Sequence, residues 1–243
     1  MTSFSRNVPH SETIGELEVV RIDGRSDGPA ILIFHGYGAD CHDLVPLRGL
    51  LPNDHRVNWF FPNGPLHVPI TPFYSGRAWF PIDVAAIERA MRTGRPREIS
   101  MGEPQGLAAS RKAAFDMISR IGVPWDRLIL GGFSQGAMLA TDLALHAPQN
   151  PAGLVILSGT LLNEETWKRL APSRAGLRFF QSHGDHDLLL PLFAAKTLNE
   201  LLAKAGLIGE WIEFSGGHEI PSRVNHALST FLASCVAKLP SAQ

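Results

Sequence analysis

Residues 127–137 read RLILGGFSQGA: an apolar run that halts at two glycines, presents one serine, and continues into a helical pattern, GAMLATDLALH (136–146). A serine at a sharp strand-to-helix turn is forced into a strained backbone. Small residues two positions before and two after let neighbouring main chain pass without a Cβ clash. Gly132-Phe133-Ser134-Gln135-Gly136 has that G-x-S-x-G spacing. A glycine-rich turn with a solvent-facing serine gives the same letters. The strand before and the helix after favour an exposed nucleophile, Ser134, at the amino end of a helix whose N–H groups and dipole favour developing negative charge.

A serine hydroxyl is a weak nucleophile until a base takes its proton, and the base needs an acid to hold its tautomer. In chains with such a turn, the acid and then the histidine follow the serine, each in a loop after a later strand. LRFFQSHG (177–184) runs into Asp185-His186-Asp187, and EWIEFSG (210–216) runs into Gly217-His218-Glu219. His218 is placed as a base, although it also reads as a polar residue flanking the helix after it. His146 and His226 lie within helical runs, and His10, His42, His55 and His67 on the tail, loops or helix ends, where an imidazole is ordinarily exposed or structural. Spacing alone leaves the acid open between Asp185 and Asp187. The cluster His183-Gly184-Asp185-His186-Asp187 has metal-ligand chemistry, but no HExxH or CxxC accompanies it and no metal is expected. An oxyanion site takes one N–H from the residue after the nucleophile, Gln135, and one from a loop after an earlier strand. AILIFHGYGAD (30–40) offers the backbone N–H of Tyr37 between Gly36 and Gly38, with His35 hydrogen-bonding inside the loop.

Around these loops, short apolar runs alternate with longer amphipathic ones, the pattern of βαβ units in a mostly parallel sheet covered on both faces. Strands are expected at 16–22, 30–36, 57–62, 127–133, 153–159, 177–184 and 210–216. Helices are expected in CHDLVPLRGLL, IDVAAIERAMR, GLAASRKAAFDMISRIG, GAMLATDLALH, PLFAAKTLNELLAKAG and PSRVNHALSTFLASCVAKL. The class is α/β, in a single domain over 1–243. The segment 63–105, rich in Pro and Gly, reads as irregular loops over the active-site edge.

The 243 residues carry 22 Lys and Arg against 23 Asp and Glu, for a formal net charge of -1. That balance supplies no basic field for nucleic acid. No apolar stretch reaches the roughly 20 residues of a membrane span. Two cysteines, Cys41 and Cys235, make no disulfide framework, and a polar start without an apolar signal region points to a reducing, cytoplasmic setting. Cys41 lacks an adjacent base and reads as a small filler. Nothing in the pattern fixes an oligomeric state.

Five segments, HGYGAD, AWFPID, GFSQGA, SHGDHDLLLP and GGHEIP, stand in the order found in the phospholipase/carboxylesterase family, whose eukaryotic members include acyl-protein thioesterases. The chain resembles that family from about Pro29 to its last helix. The resemblance implies an α/β-hydrolase fold and cofactor-free hydrolysis of carboxylic esters or thioesters, with Ser134 as nucleophile, His218 as base, Asp187 as acid, and the N–H groups of Tyr37 and Gln135 as the oxyanion site. The chain departs from the family at Ala137, where Gly is frequent, at Tyr37, where Leu is, and at Pro81 in WFPI. Phe73 and Trp79 either pin their irregular loop to the core or wall a cleft for the acyl group, which Tyr37 would shorten to short or medium chains. Alternatives on the same fold are a dienelactone-hydrolase-like or peptidase activity. A binding module without turnover is disfavoured because a binder has no need of Ser, Asp and His together.

Overall fold

In the computed structural model the described residues are 8–51, 55–83, 85, 89, 92–93 and 102–238. Ten strands are described: β1 (His10–Ile14), β2 (Leu17–Ile22), β3 (Ala30–Phe34), β4 (Asn58–Pro62), β5 (Leu66–Thr71), β6 (Tyr74–Ala78), β7 (Leu128–Phe133), β8 (Gly153–Leu157), β9 (Arg178–Gly184) and β10 (Ile208–Phe214). Five helices are described with them: α1 (Leu107–Ile121), α2 (Gln135–His146), α3 (Glu164–Leu170), α4 (Leu192–Lys204) and α5 (Ser222–Ala237).

Eight strands form one sheet in the order β1-β2-β4-β3-β7-β8-β9-β10. β1 pairs with β2, and β2 with β4, antiparallel; from β4 to β10 every pairing is parallel. Parallel neighbours need crossovers, which the helices provide, so both faces of the sheet are covered. Side chains alternate between the faces with period two. Leu32, Phe34, Leu130, Leu154, Ile156 and Phe179 pack with residues of α1, α2 and α4. Their neighbours Ile31, Ile33, Ile129, Val155, Leu157 and Phe180 pack with α5 on the other face. The central strands are apolar throughout because both faces are cores.

α2, which begins at the serine turn, is buried from Gln135 to Leu145. A helix apolar nearly all round belongs in an interior. Its one carboxylate, Asp142, is fully buried and accepts from Arg111 Nη1 at 2.6 Å and from Trp167 Nε1 at 2.9 Å. A buried charge persists only when paired in this way. The pair ties α2 to α1 and α3.

Several expectations are revised. Residues 66–78, read as loops, form an antiparallel hairpin of β5 and β6. CHDLVPLRGLL is a 3-10 helix over Val45–Leu50, because Pro46 at its start withholds an N–H. β1 and α3 were not expected: β1 is a polar edge strand with every second residue exposed, and α3 is only 7 residues long. β10 is the opposite edge, and its exposed first half departs from the fully covered strand expected there. Most of IDVAAIERAMR lies outside the described residues.

Candidate active site

Ser134 links the end of β7 to the start of α2 with φ 55 and ψ -119. A positive φ in a residue bearing a Cβ costs on the order of 1–3 kcal/mol and survives only where surrounding structure fixes it. Here the Ser134 N–H donates to Leu157 O at 2.8 Å, and Ser134 O accepts from the N–H groups of Ala137 and Met138 at 3.1 and 3.2 Å. The turn also presses α2 against β3: a methyl on Gly136 would stand 2.0 Å from Phe34 O. No residue larger than glycine fits there.

The loops after β9 and β10 meet beside this turn. Asp185 N–H donates to Phe214 O, and His186 N–H to Gly216 O, each at 2.9 Å, while Asp185 Oδ1 accepts from Gly216 N–H at 3.0 Å. This backbone zipper brings His218 to Asp187, with Nδ1 and Oδ2 2.6 Å apart. The partner is the second of the two carboxylates. A carboxylate accepts only, so Nδ1 carries the proton and Nε2 is left with a lone pair. Asp187 Oδ1 accepts from Leu189 and Leu190 N–H at 2.9 Å each. Burial pushes the Asp187 carboxyl up, but its hydrogen bonds with His218 and with the Leu190 N–H outweigh burial, and the group lies below the usual carboxylate range. The His218 ring packs 4.8 Å from the ring of Phe133, the residue before Ser134.

His183, fully buried, donates through Nε2 to Leu190 O at 2.7 Å, with Asp187 Oδ2 at 3.4 Å. It braces the same loop, and burial lowers its pKa from the ordinary imidazole value. Among the described residues no group of three or more His, Cys, Asp or Glu side chains is arranged to hold a metal ion.

On the other side of Ser134 lies the loop after β3, where a methyl on Gly36 would be 3.4 Å from Ser134 Cβ. His35 is buried beneath it. Its Nε2 accepts from Gly64 N–H at 2.9 Å, which fixes the tautomer with the proton on Nδ1, and Nδ1 donates to Gly36 O at 2.7 Å. In a planar trans peptide the C=O and N–H point in opposite directions. Anchoring Gly36 O therefore turns the Tyr37 N–H away from His35. Among the described residues neither the Tyr37 N–H nor the Gln135 N–H has a hydrogen-bond acceptor, as donors reserved for a ligand oxygen require. Burial lowers the His35 pKa to about 4, so the imidazole stays a neutral brace.

The two aromatic positions expected to wall a cleft are placed differently. Trp79 is 1% exposed behind the loop, with Nε1 donating to His35 O at 2.9 Å, and it does not face an open cleft. Phe73 is 100% exposed at the turn between β5 and β6. Ile70 lies against the Tyr37 loop: a methyl on Gly38 would stand 2.8 Å from its Cδ1. Ile70 is hidden to sequence reasoning because its segment, rich in Pro and Gly, reads as irregular loops, although the alternation in LHVPIT is an available strand signal. Ser158, fully buried with φ 49, was also missed; its N–H donates to Ser182 O at 2.9 Å.

Strand order, the turn at Ser134 and the two loops after β9 and β10 together define an α/β-hydrolase. The family model for phospholipases and carboxylesterases matches residues 16–236, and the chain belongs to that family. It is a serine hydrolase of the carboxylesterase type. Among its relatives, acyl-protein thioesterase 1 of Neurospora crassa is 27% identical over 221 residues, covering 86% of this chain and 87% of the relative. Among solved structures, esterase PE8 shares the fold at a TM-score of 0.73 and 24% identity, covering 88% of this chain and 97% of its own. A carboxylesterase from Mesorhizobium loti does so at 0.68 and 22%, covering 93% and 98%.

Proposed function

We propose that this chain hydrolyses carboxylic esters, thioesters among them, with short to medium acyl groups, through Ser134, His218 and Asp187 and an acyl-enzyme intermediate. The observation that carries the reading is the 2.6 Å contact of His218 Nδ1 with Asp187 Oδ2, on loops that converge beside a serine held at φ 55. Ser134 Oγ attacks the acyl carbonyl as His218 Nε2 takes its proton. The carbonyl oxygen, now an oxyanion, receives the Tyr37 and Gln135 N–H groups. Collapse expels the alkoxide or thiolate, which takes the proton from His218. A water, deprotonated by the same nitrogen, then attacks the acyl-serine, releasing the acid and restoring Ser134. Asp187 keeps its negative charge throughout and stabilises the imidazolium.

The limit on acyl length rests on Ile70, which packs over Gly38 in the Tyr37 loop, and on the bulk of Tyr37 itself; each methylene that finds room contributes about 0.8 kcal/mol until the space is full. Phe73, exposed at the hairpin turn, would meet only acyl groups that reach beyond Ile70. Two buried, unpaired thiols, Cys41 and Cys235, accord with a reducing cytoplasm. Among the described residues no helix is long and apolar enough to cross a membrane.

A fluorophosphonate probe tests the nucleophile. One equivalent should attach to Ser134 and turnover should cease, while Ser134→Ala takes up none; labelling that survives the substitution refutes the assignment. With p-nitrophenyl esters from C2 to C16, kcat/KM should peak before C16.

A further inference from the structure

The structure assigns Trp79 a role beyond packing: we propose that it is a positioning residue that holds the two oxyanion donors, Tyr37 N–H and Gln135 N–H, at a fixed separation. The inference rests on the reading of those donors given above. The donors lie on separate pieces of chain. β3 and β7 pair in parallel with Phe34 opposite Gly132, and beyond that register the two backbones part, one into the 35–39 loop and the other into α2. Strand pairing alone does not set the distance between the N–H groups.

Trp79 grips both sides. Its backbone N–H donates to Gln135 Oε1 at 2.8 Å, and Gln135 Nε2 donates to the carbonyl of Phe80 at 2.7 Å, so the side chain of the residue carrying one donor is clamped like a paired strand. Its indole N–H donates to His35 O at 2.9 Å, on the peptide immediately before the one that bears the Tyr37 N–H. The indole packs 5.2 Å from the His35 ring and meets Phe34 edge-on at the same distance. The Trp79 carbonyl accepts from Ser110 Oγ, which fixes the tryptophan to α1. Gln135 is 4% exposed, and these bonds are shielded from competing water. The result is a closed circuit: Tyr37 loop, His35 carbonyl, indole, Trp79 backbone, Gln135 side chain, Gln135 N–H.

Such a residue acts on the transition state, because the oxyanion forms only there. Removing one donor outright costs about 10²–10³ in kcat; a displaced donor should cost less, about 10- to 100-fold. Trp79→Phe keeps the backbone clamp and most of the ring but deletes the indole donor. Its kcat should fall about 10- to 100-fold with KM within about twofold. Affinity for an alkyl trifluoromethyl ketone, which forms a tetrahedral oxyanion on the serine, should fall by the same factor as kcat/KM. The pH profile and the shape of the acyl-length profile should stay unchanged.

Gln135→Met, which opens the circuit at its other side, should give a similar loss, and the double variant should lose little more than either single one. If Trp79→Phe does not fold, Gln135→Met with the same ketone decides. Unchanged kcat, a kcat/KM loss not matched by the ketone, or multiplicative losses in the double variant would overturn the proposal. Fluorophosphonate titration of the unaltered enzyme separates the two readings: absence of labelling refutes the nucleophile, whereas full labelling with an unaffected Trp79→Phe refutes only the role of Trp79.

Discussion

Two aspartates two residues apart do different work. Asp185 Oδ1 accepts the Gly216 N–H and so closes the zipper between the β9 and β10 loops, while Asp187 Oδ2 faces the imidazole of His218. Asp187→Asn places an amide against Nδ1, and an amide N–H there selects the tautomer with its proton on Nε2, which cannot act as a base. We expect kcat to fall about 10⁴-fold, as it does in the protease that serves as the template for such triads. Asp185→Asn keeps an acceptor for Gly216 and should stay within about threefold of the parent enzyme, as befits a group outside the proton path. Ester-hydrolysis rates of both folded variants decide the matter, and the reverse ranking would move the acid to Asp185.

Among the elements, the hairpin of β5 and β6 lies outside the main sheet but is stitched to the oxyanion loop. Gly38 N–H donates to Arg77 O and Arg77 N–H to Ala39 O, both at 2.8 Å, and a methyl on Gly76 would stand 1.9 Å from Gly38 O. That carbonyl is backbone and cannot swing aside. Gly76→Ala must therefore push the hairpin off the loop that presents Tyr37. The expected result is a loss of about tenfold or more in kcat/KM, since a donor is displaced, with the main sheet still folding cooperatively. Gly49, where an added methyl would meet nothing within 4 Å, is the control: Gly49→Ala should leave activity unchanged. Equal activity in both variants would show that the hairpin does not set the site. Its tip exposes Phe73, and Ile70 just before the tip packs over Gly38, so one element seats the Tyr37 loop and, on the proposed reading, borders the acyl group.

For the whole molecule, the buried neutral histidines link the site to acid stability. His35 titrates at about 4 in the folded chain against 6.5 when exposed, because burial disfavours its charge. Between those values the unfolded chain binds the extra proton and the folded one does not. The stability His35 contributes is thus present above pH 6.5 and lost as pH falls from 6.5 toward 4, by up to about 3 kcal/mol. His183, lowered by burial as well, acts in the same direction. Urea unfolding at pH 7 and pH 4.5 should show the parent losing more stability on acidification than His35→Asn, whose amide keeps a donor near Gly36 O without titrating. Parallel losses would show that His35 does not titrate as a buried group.

Much of this molecule is written locally. The strand, turn and helix around Ser134, the parallel order of apolar runs, and the two loops that end in Asp187 and His218 are legible because nucleophile turns and doubly covered strands each impose a short-range pattern on the letters. The family resemblance added the choice of Asp187, which spacing left open and which the 2.6 Å contact with His218 now favours. Other features were beyond the sequence because they depend on contacts distant along the chain. Trp79 reads as a loop anchor or a cleft wall until the fold brings Gln135 and His35, 56 and 44 residues away, to its N–H groups. The hairpin at 66–78 hides in a Pro- and Gly-rich stretch because its register is set by pairing with the loop at Gly38 as well as by its own periodicity. Backbone conformation and side-chain alternation are local energies and leave marks at fixed spacing, whereas the satisfaction of buried donors and acceptors is decided only when remote segments are packed together.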